Sequence, residues 1–393
     1  MSSNKANKIS ISDDENLDFD NLLSLINRKL NIQNLQLSNC LEIFDEIKIY
    51  ANKLLDNNLT ECEVWSAILD NDLKIYEIIK NFILGKGKRL RPILFFLTYL
   101  AFEKKPDRIN ADNIMSALEI IHTFILIHDD IIDKSSARRS SPTLHTLFND
   151  NIRMKGLNKS HRITGEDMAL VAGDMLYTYA FDSIHKVNLP QKVLIEISNI
   201  LTKTAMLTAH GEFHEMLETL KPIGTINEEN LLRLYDLKTA YYTFCAPMAL
   251  GVILADKHEK LNIINDIGLA MGKAFQILND ISELKAFNKA PDTYSPKDLI
   301  EKKYTLILYW TYSSANQDDK QFIDEFLSNN SLCMEDYIKI YNIMIKTGSV
   351  KKATTEIHML KKKAVDLLKN LDIDNNFKTL LHMYFNQLIP HDS

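Results

Sequence analysis

The chain has 393 residues, of which 46% are hydrophobic and 25% are charged, and its formal net charge is −6. These fractions are typical of a globular protein and exclude a collagen-like or wholly disordered chain. The 11 glycines and 9 prolines are fewer than half of what average usage would give. Because β-sandwiches and barrels need many tight turns, this composition predicts long helices instead. The mild acidity gives no indication of a nucleic-acid partner.

Taken in chain order, the sequence begins with a polar, acidic stretch over residues 1–20, which is predicted to be disordered. An N-terminal extension over residues 1–60 is expected to precede one all-α domain over residues 61–393. Residues 149–165 and 288–296 are polar and are predicted to be loops. Helical spacing of apolar residues recurs over 64–84, 92–103, 110–134, 166–187, 190–218, 227–255, 261–287, 297–313, 319–328, 334–347 and 350–371.

The longest apolar runs, such as Pro92 to Phe102, fall short of the ~18 residues that a membrane span needs, so no transmembrane segment is expected. The first 20 residues are rich in Asp and Glu, whereas transit peptides are poor in acids and rich in Arg. The sequence therefore predicts a cytoplasmic protein, without excluding an organelle.

A cluster of acidic residues follows the apolar run that ends at Ile127. Asp129 and Asp133 are four residues apart, so their carboxylates share one helix face. Two like charges beside an apolar helix repel each other and lose hydration, and a bound cation would relieve both effects. Carboxylate oxygens suit Mg²⁺. The alternative is a solvated helix end at which acids happen to cluster.

A second polar face is predicted on the helix over 261–287. Its members are spaced at i, i+3, i+4 and i+7, which places them on one side of a helix. The alternative is an ordinary solvated face, since apolar residues cover the rest of the circumference. The four residues are Gln276, Asn279, Asp280 and Glu283.

Basic residues form several groups that suit phosphate binding. Lys88 and Arg91 are three residues apart in a Gly-containing turn, and Arg matches the oxygens of a phosphate bidentately. The alternative for this turn is a solvated basic loop. Two acidic faces and several basic groups in an apolar, helical chain together predict a site for Mg²⁺ and a diphosphate on a hydrocarbon substrate. The other basic groups are Arg138-Arg139 and Lys238-Thr239.

The motifs, in this order, resemble those of the trans-type polyprenyl diphosphate synthases, the family of farnesyl and geranylgeranyl diphosphate synthases. The resemblance extends from about Leu84 to Leu308. It is carried by Gly87-Lys88-Arg89-Leu90-Arg91-Pro92, His122, Asp129-Asp130-Ile131-Ile132-Asp133, Arg138-Arg139, Ala172-Gly173-Asp174, Lys238-Thr239-Ala240, Ala274-Phe275-Gln276, Asp298 and Lys303-Tyr304-Thr305-Leu306.

The resemblance implies an isoprenoid-synthase-type helical bundle around a deep central cavity, usually as a homodimer. It implies that isopentenyl diphosphate is condensed head-to-tail with an allylic diphosphate, with about three Mg²⁺ ions per site or Mn²⁺ in their place. The metal ligands implied are Asp129, Asp130, Asp133, Asn279, Asp280 and Glu283. The implied catalytic residues are Asp129, Asp133, Lys238 and Lys303. The implied substrate-binding residues are Lys88, Arg91, His122 and Arg139 for isopentenyl diphosphate, Arg138 for the allylic diphosphate, and Thr239 and Gln276.

Product length is expected to depend on residues one to two turns before Asp129. In the family, the growing hydrocarbon runs beside this helix. Phe124 lies five residues upstream, Ile125 four and Ile121 eight. Eukaryotic farnesyl synthases often carry two aromatic residues at the fourth and fifth positions, whereas this chain has one. A single ring predicts a C20 product with C15 as a shorter side product.

Three departures from the family keep alternatives open. The stretch over 149–165 is longer than the family's usual connection at this place. Asn279 stands where the family's second acidic motif has Asp, so one charge is missing beside the metal. The family's Lys ahead of Asp298 is absent; Tyr294 lies near its place, and Lys297 or Lys289 could substitute. The chain could therefore be a weakly active or non-catalytic subunit of a heteromeric synthase. A terpene cyclase is disfavoured, because its reaction leaves the basic groups for isopentenyl diphosphate without use.

Overall fold

The computed structural model describes residues 18–31, 35–61, 74–138, 141–156, 162–290 and 296–390. Helices dominate these ranges, which confirms the all-α expectation. Strands β1 (Ala137–Arg138) and β2 (Ser141–Pro142) form one small antiparallel hairpin. The α-helices are α1 (Phe19–Leu30), α2 (Leu37–Glu61), α3 (Ile75–Ile83), α4 (Leu90–Phe102), α5 (Arg108–Ile132), α6 (Leu144–Met154), α7 (Gly165–His185), α8 (Gln191–Thr219), α9 (Glu228–Tyr235), α10 (Ala246–Leu254), α11 (Leu261–Lys289), α12 (Lys297–Ile300), α13 (Leu306–Ser314), α14 (Gln317–Ser328), α15 (Met334–Lys346), α16 (Ser349–Lys369) and α17 (Asn375–Leu388).

Helix α5 carries the first acidic motif from the core to a cavity. The Asp107 side chain caps the helix by accepting a hydrogen bond from the Asn110 backbone N–H at 2.8 Å. Every residue over 114–123 is buried, so the middle of the helix is core on all sides. The helix ends beside Asp133, and the next residue, Lys134, has the positive φ of 52° that turns the chain away. The acidic residues thus sit where the buried helix emerges from the core.

Helix α11 lies against a π-helical segment, Asp236–Cys245, that joins α9 to α10. Gly272 permits the contact, because a Cβ at this position would lie 2.3 Å from Ala240 Cα. π-Helical geometry is uncommon and is often found at functional sites. Here it brings Lys238 and Thr239 beside the polar face of α11.

Residues 228–254 form one continuous helical stretch, as predicted for 227–255. By length and composition this stretch could cross a membrane, contrary to the expectation that no segment is long enough. However, 78% of its most apolar window is buried inside the protein, as in the core helix of a globular protein.

Two segments differ from their predicted structure. The loop expected over 149–165 is helical in its first part, because Leu144 and Phe148 give α6 a buried apolar face; residues 157–161 lie outside the described ranges. The helix expected over 297–313 is interrupted between α12 and α13, where Lys302 has a φ of 55°. This interruption places Lys303 at a cavity wall.

The N-terminal helices α1 and α2 pack into the same core as the rest of the protein. Phe19 contacts Phe96 of α4 with ring centroids 5.9 Å apart, and Phe44 contacts Tyr384 of α17 at 4.8 Å. The structure therefore differs from the expected loose extension up to residue 60, because the Asn-rich pattern hides a buried apolar face. The disorder expected over 1–20 falls almost wholly on residues outside the described ranges.

Asp112 on α5 leads to a prediction about pH. The Tyr50 hydroxyl of α2 donates a hydrogen bond to its carboxylate at 2.7 Å, and burial raises the pKa of Asp112 from 3.8 to about 6. The folded carboxyl therefore keeps its proton to higher pH than the unfolded one. Its contribution to the free energy of unfolding is complete below the unfolded pKa and is lost as the pH rises through about 6.

Replacing Asp112 by Asn should flatten this part of the pH dependence. Urea unfolding of both proteins between about pH 4 and pH 7 measures it. Asp182→Asn is the control, since Asp182 is exposed and pairs only with the exposed Lys186 in the described structure. Parallel curves for Asp112→Asn and the unchanged protein would contradict the assignment.

Candidate active site

Two adjoining cavities lie between α5 and α11. The first, of about 450 Å³, is bounded by the basic turn before α4 and is called here the basic cavity. The second, of about 400 Å³, contains the end of α5 and is called the acidic cavity. Six side chains contribute to both walls, so the cavities share one boundary. These are Leu126, Arg138, Thr239, Tyr242, Gln276 and Asn279.

The acidic cavity collects carboxylates from several elements. Asp129 and Asp133 come from the end of α5, and Glu212 and Glu215 come from α8. Oxygens of Asp129, Asp133 and Glu212 all lie within 4.8 Å of one another. Such an all-oxygen set is the donor chemistry that Mg²⁺ prefers, so the residues present fit this ion. Asn279 and Glu283 of α11 line the same cavity, as predicted from their spacing.

Lys238 balances these carboxylates from the π-helical segment. Its ammonium lies 2.5 Å from Glu215, 3.2 Å from Glu212 and 3.7 Å from Asp129. Burial favours the neutral amine, but the three carboxylates outweigh it and raise the pKa of Lys238 well above its usual value. The group therefore stays a cation inside the cavity.

Arg138 and Lys303 close the two sides of the first acidic motif. Arg138 donates to Asp129 at 2.5 Å and to Asp130 at 2.8 Å, and Lys303 donates to Asp133 at 2.8 Å. Burial alone would raise the pKa of Asp129, but the charges of Lys238, Arg138 and Lys303 hold it below its usual value. Asp129 is thus ionised and surrounded by cations that can turn to a bound diphosphate.

The middle carboxylates of both motifs differ from the expected role as metal ligands. Asp130 is 1% exposed, and its Oδ1 accepts from Arg138. Asp280 is 3% exposed and accepts from Gln276 at 2.9 Å and from the Tyr235 hydroxyl. Burial raises the pKa of Asp130 to about 6 and that of Asp280 to about 8. Neither lines the basic or the acidic cavity, because each is rotated about 100° around its helix from the neighbouring cavity residue.

The shared wall contains a hydrogen-bonded chain. Thr239 donates to the Gln276 carbonyl oxygen at 2.5 Å, and the Gln276 amide donates to Asp280. Asp280 thereby determines which way the Gln276 amide faces. Thr239 and Gln276, both predicted as substrate-binding residues, are held in one orientation between the two cavities.

The basic cavity contains the residues predicted for isopentenyl diphosphate. Lys88 is exposed on its rim, and His122 is 8% exposed on α5. The Arg91 guanidinium lies 4.2 Å from the centroid of the Tyr242 ring and donates to the Thr243 hydroxyl at 2.7 Å. Arg139, predicted for the same substrate, lies outside the described residues.

Arg89, between Lys88 and Arg91, has a different function. It is 6% exposed, and its guanidinium lies 2.9 Å from Glu119, which is itself buried on α5. It also donates to Asn52 of α2 at 2.7 Å and to the Ile83 carbonyl at 2.8 Å. Its bonds join α2, α3 and α5 to the start of α4, so this arginine holds the turn that presents Lys88 and Arg91 at the basic cavity, whose wall it also reaches.

The three residues predicted to set product length lie at different depths. Ile125 lines the acidic cavity, whereas Ile121 is buried in the core. Phe124 is half-buried between α5 and α7, where its ring contacts His128 at 4.7 Å and Tyr177 at 5.0 Å. It is not part of either cavity wall, so Phe124 lies beside the expected path of the hydrocarbon rather than across it.

Several wall residues were missed in the sequence. Glu212 and Glu215 are one helical turn apart in α8 and line the acidic cavity. The preceding Gly211 lets α8 pack closely against the π-helical segment, because a Cβ at this position would lie only 3.0 Å from Leu237 Cβ and from the Lys238 backbone nitrogen. The three-residue spacing of the two glutamates was the feature of the sequence that could have indicated a second acidic face. Lys297, one of the two suggested substitutes for the absent lysine, lines the acidic cavity and donates to the Ala137 carbonyl at 3.0 Å. Other wall residues that the sequence did not indicate include Tyr242 and Glu301. Tyr294 lies outside the described residues.

Comparison with known proteins gives the same family. Residues 72–344 match the family model described as Polyprenyl synthetase. The chain is 28% identical over 301 residues to a geranylgeranyl diphosphate synthase of Sulfolobus acidocaldarius, covering 76% of this chain and 84% of that protein. It is 28% identical over 295 residues to a short chain isoprenyl diphosphate synthase of Methanocaldococcus jannaschii, covering 74% and 83%.

A solved structure shares the fold. It is a geranylgeranyl pyrophosphate synthase from Corynebacterium glutamicum, complexed with isoprenyl diphosphate and magnesium. The TM-score is 0.79 at 22% identity, and the match covers 88% of this chain and 99% of that one. With the family model spanning most of the chain, the protein belongs to the polyprenyl synthetase family of Mg²⁺-dependent trans-prenyltransferases.

Proposed function

We propose that this protein condenses isopentenyl diphosphate with an allylic diphosphate, head to tail, to give geranylgeranyl diphosphate. The observation that carries the proposal is the pair of adjoining cavities, one lined by carboxylates and the other by Lys88 and Arg91. The names of the relatives support a C20 product, since geranylgeranyl synthases recur among them. Chromatography of the dephosphorylated products identifies the chain length directly.

The acidic cavity is the proposed site of the allylic diphosphate. Mg²⁺, about three ions or Mn²⁺ in their place, would supply positive charge to the leaving diphosphate, held by Asp129, Asp133, Asn279 and Glu283. Arg138, Lys238 and Lys303 already lie on the wall as cations. They would turn from their carboxylates to the diphosphate oxygens and stabilise the charge that develops as the C–O bond breaks. Asp130 and Asp280 would position Arg138 and Gln276.

The basic cavity is the proposed site of isopentenyl diphosphate. Lys88, Arg91, His122 and Arg139 would hold its diphosphate, while the apolar wall at Leu126 and Phe275 accommodates its short hydrocarbon. The shared wall then places its double bond against the allylic carbon. The double bond attacks that carbon, and the product forms after loss of a proton. Fixing two substrates in this way removes much of the entropic cost of their encounter.

Lys88→Ala and Arg91→Ala should raise KM for isopentenyl diphosphate more than KM for the allylic substrate. Both cations face only the basic cavity among the cavities of the described structure. Steady-state kinetics with each substrate varied in turn measures the two KM values. Lys104→Ala, which removes an exposed lysine after α4 that lines neither cavity, is the control. Equal changes in both KM values would mean that the two diphosphate sites are assigned the wrong way round.

Phe124→Ala should lengthen the main product beyond C20. Removing the ring would open space beside Ile125, next to the cavity that holds the growing chain. If Phe124 only packs in the core, its loss would instead cost about 3–5 kcal/mol of stability without changing the product. Phe322→Ala, a half-buried Phe far along the chain in α14, is the control. An unchanged product distribution from a folded Phe124→Ala protein would contradict the proposal.

Assembly and location are part of the same proposal. A homodimer is supported by exposed apolar side chains on, and directly after, the neighbouring helices α7 and α8. The catalytic unit proposed over 61–393 would extend to α1 and α2, because these helices pack into the same core. Cytoplasmic location stays a prediction of the sequence. The alternative is a weakly active or non-catalytic subunit, and it is disfavoured by the carboxylates of Asp129 and Asp133 and by the wall cations of the acidic cavity. The exposed side chains are Leu170, Val171, Ile195, Met206, Phe213, Leu217 and Leu220.

A further inference from the structure

Helix α11 offers the acidic cavity little carboxylate charge. Asn279, which is exposed into both cavities, carries a neutral amide. Asp280 is buried behind the wall with Gln276 and Tyr235. Glu283 accepts a hydrogen bond from the Lys297 backbone N–H, so one of its oxygens is occupied. A metal ion facing α11 would therefore meet less negative charge than one facing α5.

Helix α8 provides what α11 lacks. Glu212 brings an oxygen within 4.8 Å of oxygens of Asp129 and Asp133. Its neighbour Glu215 is the nearer partner of Lys238, whose ammonium lies 2.5 Å from the Glu215 carboxylate. Glu212 lies 3.2 Å from the same ammonium, and its side chain is 14% exposed at the cavity wall.

We propose that Glu212 is a ligand of the divalent cation held by Asp129 and Asp133, so that a third helix replaces the charge missing at Asn279. The inference rests on the proposed function for the identity of the metal site. That the protein binds a divalent cation does not depend on the acidic cluster alone, since the family to which the chain belongs is Mg²⁺-dependent.

The distances permit this arrangement after side-chain rotation. Oxygens around an octahedral Mg²⁺ lie about 4.2 Å apart on opposite sides of the ion and about 3.0 Å apart when adjacent, because each Mg–O bond is about 2.1 Å. Oxygens of the three carboxylates already lie within 4.8 Å of one another, so rotations about side-chain bonds that bring them closer would complete the site. Lys238 would leave Glu212 when the ion enters, and it keeps Glu215 as its nearer partner.

The test is a titration of the full-length protein with Mn²⁺ in the presence of inorganic diphosphate, followed by electron paramagnetic resonance of the free ion. Four proteins form a cycle: the unchanged protein, Glu212→Gln, Asn279→Asp and the double variant. Asp236→Asn is the matched control. Asp236 is a half-buried carboxylate paired with Lys273 at 2.5 Å, and it lines neither cavity.

Glu212→Gln should weaken Mn²⁺ binding by about tenfold or more, as expected for the loss of a ligand. The double variant should recover most of this loss, because Asp at 279 returns the carboxylate from α11. Asp236→Asn should bind as the unchanged protein does. Unchanged affinity in Glu212→Gln would overturn the inference, and so would a double variant as weak as Glu212→Gln alone.

Circular dichroism checks that each variant is folded. If Glu212→Gln does not fold, Glu212→Asp replaces it: the charge beside Lys238 remains, but the shorter side chain withdraws the oxygens from Asp129 and Asp133. It should still weaken Mn²⁺ binding, and full affinity would overturn the inference. Because no prenyl substrate is present, these outcomes are separate from the proposed function, which fails only if the unchanged protein makes no product.

Discussion

Asp129→Ala and Asp133→Ala are each expected to lower kcat by at least about two decades, or ~2.7 kcal/mol of activation free energy. Each change removes a carboxylate from the cluster with Glu212. It also releases one of the wall cations, since Asp129 holds Arg138 and Asp133 holds Lys303. The allylic diphosphate would lose a bound metal ion and the fixed positions of Arg138 and Lys303. Because both stabilise the charge that develops as the diphosphate leaves, the effect should appear in kcat.

Single-turnover and steady-state kinetics at saturating Mg²⁺ measure this loss. Asp182→Ala, which removes an exposed carboxylate from α7, should retain normal activity. Asp129→Asn separates charge from shape, since it keeps the size of the side chain. Near-normal turnover in either Ala variant would remove the metal site from the end of α5.

Arg89→Ala is expected to lower the free energy of unfolding by about 3–5 kcal/mol. The substitution leaves the carboxylate of Glu119, 2% exposed, without its cation in the core. It also removes the bonds that join the basic turn to Asn52 and to the end of α3. Arg89 begins α4 with a positive φ of 48°, so the loss would loosen the turn that presents Lys88.

Urea unfolding of Arg89→Ala measures the change. The double variant Arg89→Met/Glu119→Met is the comparison, because replacing both partners of a buried ion pair by apolar groups leaves no uncompensated charge. It should recover most of the stability. A loss below about 1 kcal/mol in Arg89→Ala would show that the pair is not buried in solution as it is in the structure.

The sequence could predict those parts of the site that are local. Asp129 and Asp133 share a face because they are four residues apart, and Lys88 and Arg91 lie in one short turn; both observations hold without any tertiary information. The same reasoning could not separate Arg89 from its neighbours. All three are basic residues in one motif, and only the packing of Glu119 beneath the turn shows that Arg89 is internal.

Parts of the site that depend on tertiary contacts were not predictable. Glu212 joins Asp129 only because Gly211 lets α8 approach the π-helical segment, whose geometry no spacing reveals. Asp280 fits the spacing of a metal-binding face, yet a rotation of one residue places it against Tyr235. The N-terminal segment has a helical pattern over residues 22–59 that many Asn residues interrupt. The pattern did not show that α1 and α2 pack into the core, where burial of Phe19 and Phe44 stabilises them.

The stoichiometry of diphosphate release by the purified chain alone tests most directly whether the two cavities join an isopentenyl unit to an allylic diphosphate. Isotope-labelled isopentenyl diphosphate and farnesyl diphosphate would be supplied with Mg²⁺, and inorganic diphosphate and labelled product would be measured together. A synthase should release one diphosphate for each isopentenyl unit incorporated, give a C20 product, and release no diphosphate when either substrate or Mg²⁺ is withheld. Release from farnesyl diphosphate alone would indicate a cyclase, and no release under any condition would indicate a non-catalytic subunit; either result would contradict the proposed condensation.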